Sequence, residues 1–131
     1  MKKLEFESGI FIPANRKVWE HERHVAEILA QAGHYVEFIL EHTQRSADIL
    51  LDGVPYEIKS PKTTSANSLE HIIKKGLRQC SNLIIDSSRT RMHDDNLRKF
   101  LISQMRSRRQ IKHMLLIAKR GQIVDISELI W

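Results

Sequence analysis

The segment Ala47-Asp48-Ile49-Leu50-Leu51-Asp52-Gly53-Val54-Pro55-Tyr56-Glu57-Ile58-Lys59 decides how the rest of the chain is read. Two short runs rich in β-forming residues flank Asp52-Gly53, a dipeptide that favours the two-residue turn of a β-hairpin. With that turn, Leu51 pairs with Val54, Leu50 with Pro55, Ile49 with Tyr56 and Asp48 with Glu57. Directly opposed residues project to one face, with side chains roughly 5 Å apart. Two carboxylates are therefore set against each other, which like charges normally prevent. A divalent cation between them removes the objection, because hard cations take oxygen ligands. Side chains alternate along a strand, so Lys59 shares the face of Glu57. One hairpin thus presents Asp48, Glu57 and Lys59 together. Pro55 has no N–H to give to a ladder and predicts a sheet edge on its side.

Upstream, Phe6 to Ile12 reads as a short leading strand ended by Pro13. Asn15 is an N-cap candidate for a helix over 16–32, closed by Gly33, with Val18, Val25, Ile28, Leu29 and Ala32 at helical spacing. Tyr35 to Leu40 forms the strand before the hairpin. Downstream, Ser65 can cap a helix over 66–80 whose apolar face includes Leu69, Ile73 and Leu77. Asn82 to Asp86 is an apolar strand of the kind covered on both faces. A third helix fits 94–109, and two strands, 113–118 and 122–126, close the chain around Arg120-Gly121. This order predicts an α/β (α+β) domain with a mixed central β-sheet flanked by helices, and a C-terminal helix and hairpin.

The 131 residues suit one domain, with a core over about 16–88 and a basic C-terminal extension over 89–131. At 41% apolar the chain can build a core, and no apolar run nears the ~20 residues of a membrane span. There is no signal-peptide pattern at the N-terminus, and Cys80 stands alone, which excludes a disulfide framework. These features predict a cytoplasmic protein with no membrane partner. The net charge of +5 is unevenly spread. Residues 1–88 hold 11 basic and 12 acidic side chains, whereas residues 89–120 hold ten basic side chains against Asp94 and Asp95. Such a block suits a polyanion or is simply a solvated face.

Asp48 followed by Glu57-Ile58-Lys59, on a hairpin after a helix, resembles the PD-(D/E)XK nuclease superfamily, with Ala47 where the motif name has Pro. That resemblance implies a restriction-endonuclease-like core in which Asp48, Glu57 and the Ile58 carbonyl hold a divalent metal ion. Mg²⁺ comes first, with Mn²⁺ or Zn²⁺ as alternatives. It implies that Lys59 orients the attacking water and stabilises charge on the phosphate. Many members of the superfamily add a glutamate from the first helix. Glu22 is the candidate here: it lies along the Val18, Val25, Leu29 stripe, where a carboxylate is costly without a partner. A side chain snorkelling at the stripe's edge is the bland alternative.

Glu57-Ile58-Lys59-Ser60, a helix ending in Leu77-Arg78-Gln79-Cys80 and the strand Leu83-Ile84-Ile85-Asp86 are similar to the C-terminal tRNA-nuclease toxin domain of contact-dependent growth inhibition proteins (CdiA). This similarity implies metal-dependent cleavage of tRNA or other structured RNA, with an immunity protein as partner. DNA remains open as substrate, since the same fold serves DNA endonucleases. The chain begins with its own Met and carries no delivery domain, so it reads as a free-standing relative or a toxin fragment acting in a target-cell cytoplasm.

Gln79 is either a polar auxiliary of the site or a boundary residue of its helix, and Ser60 and Thr63 either contact phosphate or brace their loop. Lys62, Lys74, Lys75 and Arg78, with Arg98, Lys99, Arg106, Arg108 and Arg109, are candidates for a salt-sensitive nucleic-acid groove. Few aromatics interleave with these cations, so base stacking is not prominent in the sequence. His21 and His24 read as surface histidines and Cys80 as a core thiol. Two non-enzymatic readings stand beside the nuclease: a nucleic-acid binder whose hairpin acids are structural, and a module whose basic helix docks on an acidic protein.

Overall fold

A computed structural model describes residues 9–40 and 47–130. Phe6 to Ser8 of the expected leading strand lie outside the described residues. In chain order the elements are β1 (Ile10–Phe11), α1 (Glu20–Gln31), β2 (Val36–Phe38), β3 (Ile49–Leu51), β4 (Val54–Lys59), α2 (Ala66–Leu77), β5 (Asn82–Asp86), α3 (Asp94–Ser107), β6 (His113–Ile117) and β7 (Ile123–Asp125). A 3-10 turn over Ile126–Leu129 follows. The seven strands form one sheet in sequence order. Pairs β1/β2, β4/β5 and β5/β6 are parallel, and β2/β3, β3/β4 and β6/β7 antiparallel. The expected mixed sheet flanked by helices is what the chain forms. No helix among the described residues is long and apolar enough to cross a membrane.

Alternation along the strands splits the core in two. Val25 and Leu29 of α1 pack with Phe38, Ile49, Ile58 and Ile84 on one face. On the other, Leu69 and Ile73 of α2 and Leu97 and Leu101 of α3 pack with Leu83 and Leu116. Strand β5 is buried on both faces, as its unbroken apolar run requires. The β3–β4 hairpin has the expected register, Ile49 opposite Tyr56 and Leu51 opposite Val54. Its turn uses left-handed backbone at both centres, φ 50° at Asp52 and 86° at Gly53, the geometry that makes Asp-Gly the favoured pair.

Several expectations need correction. Asn15 does not cap α1: it sits at φ 70°, the Arg16 N–H bonds the Pro13 carbonyl, and the helix begins only at Glu20. Pro55 does not mark an edge, because β4 lies between β3 and β5. The β4–β5 ladder starts at Glu57, and on that side the Pro55 carbonyl accepts from the Asn82 side chain. A residue's N and O point the same way across a strand, so the missing N–H costs no ladder bond. Cys80 is half-buried rather than core, its thiol donating to the same Pro55 carbonyl. Helices α2 and α3 stop at Leu77 and Ser107, a few residues short of the expected ends.

Candidate active site

Asp48 immediately precedes β3, and its backbone is held on both sides, its carbonyl accepting the Ile39 N–H at 3.0 Å. The Asp48 N–H donates to the Tyr56 carbonyl (3.1 Å), while Asp48 Oδ2 accepts the Ile58 N–H at 2.8 Å. The side chain is thereby fixed across the hairpin beside Glu57, although the β3–β4 ladder ends at Ile49 and Tyr56 and does not include the expected Asp48–Glu57 pair. Lys59 completes the group, its Nζ 3.3 Å from Glu57 Oε2. Glu57 Oε1 is buried and receives no hydrogen bond from the described residues. Gly76 of α2 closes over the lysine stem: a Cβ there would lie 3.5 Å from Lys59 Cε and 3.1 Å from Leu83 Cδ2.

Burial of these acids has an electrostatic cost. Desolvation, offset in part by the Ile58 N–H and increased by the Glu22 charge, leaves Asp48 above the ordinary carboxylate range. Burial first and the Asp48 charge second push Glu57 up to about 8, with Lys59 offsetting part of the effect. Two buried carboxylates that resist simultaneous ionisation form a site that a proton or a cation can relieve.

Glu22, on the third residue of α1, is buried as its place on the apolar stripe demands. Its carboxylate accepts the Trp19 N–H at 3.0 Å, the backward half of a capping box. It also accepts from both terminal nitrogens of Arg16, each at 3.3 Å. Arg16 Nη2 lies 3.9 Å from Asp48 Oδ1, Nε donates to the Ile39 carbonyl, and the guanidinium stacks over Phe38. Arg16 therefore bridges Glu22 and Asp48. Among the described residues no three His, Cys, Asp or Glu side chains stand grouped as a metal-binding set. The pair that faces itself is Asp48 and Glu57, with Glu22 held one arginine away.

The remaining candidates fall outside this group. Gln79 lies in the turn after α2, its N–H on the Gly76 carbonyl, and its side chain hydrogen-bonds none of the described residues. Lys62, Lys74, Lys75 and Arg78 are exposed on and around α2. Arg98, Lys99 and Arg106 are exposed on α3, with Arg98 paired to Asp95, and Arg109 is exposed beyond its end. Arg108 is engaged structurally, 3.1 Å from Glu70 of α2 and 2.7 Å from Gln104 Oε1. Ser60 and Thr63 brace their loop: Ser60 donates to Asp86, and Thr63 Oγ1 accepts the Ser65 N–H.

Sequence reading missed Arg16, which it had placed inside a helix, and Arg89. Asp86 is fully buried at the end of β5 and accepts from Ser60 Oγ, Ser88 N and Ser88 Oγ. It thus ties the residue after Lys59 to the loop that carries Arg89. That loop and α1 enclose an open cleft of about 410 Å³ lined by Glu20, His21, His24, Ser88 and Arg89. Arg89 Nη1 is 3.2 Å from His21 Nδ1 across it. The spacing Trp19-x-x-Glu22 was the one available sign that the helix starts later, as a residue and its N3 glutamate do in a capping box.

A family model described as the contact-dependent growth inhibition CdiA C-terminal domain matches residues 45–123. The match contains Asp48, Glu57, Lys59 and Gln79, whereas Arg16 and Glu22 precede it. Among solved structures, the chain is similar to one from Burkholderia pseudomallei described as a CdiA-CT/CdiI toxin and immunity complex. The TM-score is 0.66 at 18% identity, over 86% of this chain and 90% of that one, which is a likeness of fold. No curated protein sequence matches the chain.

Proposed function

This chain belongs to the contact-dependent growth inhibition CdiA C-terminal domain family, and from that premise we propose that it is a toxin-type, metal-dependent nuclease of PD-(D/E)XK character. Its substrate in this reading is tRNA or another structured RNA, cut at a phosphodiester in a target-cell cytoplasm. The observation that carries the proposal is the close approach of buried Asp48 and Glu57, each shifting the other's ionisation, with the Lys59 ammonium 3.3 Å from Glu57.

The donor set fits a hard divalent cation. It consists of carboxylate oxygens, and Glu57 Oε1 is a buried acceptor with no donor among the described residues, which a cation would satisfy. Asp48 and Glu57 are the ligands this reading assigns, with the Ile58 carbonyl as the backbone ligand that the PD-(D/E)XK resemblance implies. Glu22 joins them only as Arg16 releases it. A bound cation supplies Lewis-acid polarisation of the phosphate and a more acidic water. The Ile58 N–H keeps Asp48 oriented, so its carboxylate needs no reorganisation. Lys59 has a side chain 28% exposed and a stem packed against Gly76, so its head reaches solvent from a fixed base. In that position it hydrogen-bonds a phosphate oxygen or the attacking water and stabilises negative charge as it develops. Arg89, held against His21, gives a neighbouring phosphate a cationic contact in the adjacent cleft. An immunity protein is the partner this reading assigns, by analogy with the Burkholderia complex.

Incubation of the purified chain with total tRNA and with plasmid DNA, each with Mg²⁺, Mn²⁺ or Zn²⁺ and with chelator, tests the proposal. Cleavage of tRNA that chelator abolishes, and that Asp48→Ala and Lys59→Ala lower at least a hundredfold in folded protein, is the expected result. Cleavage retained by both variants would place the chemistry elsewhere. Binding of RNA without cleavage under any metal would favour the non-catalytic binder.

A further inference from the structure

Trp19 is an unusual residue to find in the N-cap position of a helix, where small polar side chains are preferred. Its indole is 54% exposed, although an indole has the largest apolar surface of any side chain. No core requirement explains it, because the helix is capped by the Trp19 backbone N–H on Glu22, which any residue but proline could provide. That same bond anchors Trp19 to the carboxylate that shares Arg16 with Asp48. Over one face of the ring stands a cation, Lys17 Nζ at 4.3 Å from its centroid, which leaves the opposite face for a stacking partner. Arg16-Lys17-Val18-Trp19 thus joins an exposed aromatic and the lysine stacked on it to the acidic centre through Glu22 and Arg16.

We propose that Trp19 is a stacking platform for an unpaired nucleobase of the strand being cut, with Lys17 contacting the phosphate beside that base. The inference rests on the nuclease reading and adds the form of substrate taken. An indole stacks on any base, so the platform confers little base preference. It needs an exposed base face, however, and a base inside a continuous duplex has none. Single strands and loops of folded RNA are therefore bound in preference to uninterrupted helices. The pairing of Lys17 with Trp19 also explains why the sequence hid this feature: the stacking aromatic is not within the basic block of residues 89–120 but next to the acids.

The test uses the full chain carrying Asp48→Asn to prevent cleavage and Trp131→Phe to leave Trp19 as the sole tryptophan. Asparagine can still accept the Ile58 N–H. A twelve-nucleotide RNA is added either single-stranded or annealed to its complement, and tryptophan fluorescence and the anisotropy of labelled RNA are read together. The single strand should quench Trp19 and bind several-fold more tightly than the duplex. Adding Trp19→Ala should weaken single-strand binding roughly tenfold and leave the salt dependence unchanged, whereas Trp19→Phe should cost threefold or less. Adding Lys17→Ala should instead flatten the salt dependence by about one phosphate contact. Unquenched fluorescence, or equal binding by the Trp19→Ala variant, overturns the platform even if the wild-type chain cleaves RNA. Quenching and the tenfold loss in a protein that cleaves nothing would uphold the platform and remove the nuclease reading.

Discussion

Replacing Glu57 with glutamine tests whether the acidic centre is electrostatically stressed, apart from any catalytic role. Burial and the Asp48 charge hold the Glu57 carboxyl at about 8, against 4.5 when unperturbed. A carboxyl raised in this way favours the folded state fully below its unfolded value, and that contribution is lost as pH rises toward the folded value. The metal-free protein therefore loses stability between about pH 4.5 and pH 8. At about 1.4 kcal/mol per pH unit the loss by pH 7 is on the order of 3 kcal/mol. That is a large part of the roughly 5–15 kcal/mol by which domains are stable.

Glutamine keeps the size and stays neutral, so the Glu57→Gln variant should escape this penalty. Urea denaturation in chelator at pH 5, 6, 7 and 8 reads the effect, with the wild-type minus variant difference cancelling every group that does not interact with Glu57. The two proteins should be close at pH 5, and the variant more stable by about 2–3 kcal/mol at pH 7. Millimolar Mg²⁺ should restore the wild type at pH 8 and leave the variant unmoved, because ligand binding to the native state adds stability. Parallel pH profiles for the two proteins would refute the assignment of a strained carboxylate pair.

Three further outcomes follow from the fold. Gly53→Ala should cost about 1 kcal/mol in thermal or urea unfolding, since the position is left-handed (φ 86°) with open space around it, so that only backbone strain is at issue. Burial, the largest single influence, raises the Asp52 carboxyl, but hydrogen bonds from His34 and the Tyr35 N–H, with the His34 charge, together outweigh it and hold the group below its usual value. A lowered carboxyl stabilises above its unfolded value and loses that contribution as pH falls through the folded one. Asp52→Asn should thus make the urea midpoint less acid-sensitive below about pH 4, by a small amount because the pair is half exposed. Arg108→Ala should lower stability by up to about 1 kcal/mol and leave the salt slope of RNA binding unchanged. The double change Lys74→Ala, Lys75→Ala should do the reverse if α2 borders the strand, reducing the slope by about two contacts.

What the sequence made legible is local in origin. The hairpin register from Ile49–Tyr56 to Leu51–Val54 followed from Asp52-Gly53, because two residues of left-handed backbone leave one way to pair the strands, and Asp48, Glu57 and Lys59 come together just beyond its end. Helical spacing likewise put Val25, Leu29, Leu69, Ile73, Leu97 and Leu101 inside. The failures are tertiary. Arg16 looked like a first-turn helix residue, yet its guanidinium is worth more between Glu22, Asp48 and the Phe38 ring than on a solvated helix. Pro55 looked like an edge residue, and only the late start of the β4–β5 ladder accommodates it inside the sheet. Arg108 is indistinguishable from its neighbours in a basic run until α2 brings Glu70 to it.

Arg16 also changes how charge at the centre is balanced. Three carboxylates, Glu22, Asp48 and Glu57, face two fixed cations, Arg16 and Lys59, so full ionisation leaves one negative charge in a mostly buried site. The metal-free protein relieves it by keeping a proton on the pair, which is what the raised Glu57 value expresses. In the proposed metal-dependent reading, a divalent cation would instead allow all three acids to ionise and turn the surplus into one positive charge, the complement of one phosphodiester. On this reasoning Arg16 lets the site rest near neutrality without metal while leaving it anion-seeking when metal is bound. Arg16→Gln should therefore weaken RNA binding more in Mg²⁺ than in chelator, measured by anisotropy with the Asp48→Asn change absent and a non-cleavable RNA backbone. Equal weakening in both conditions would show Arg16 to be only a brace for Glu22.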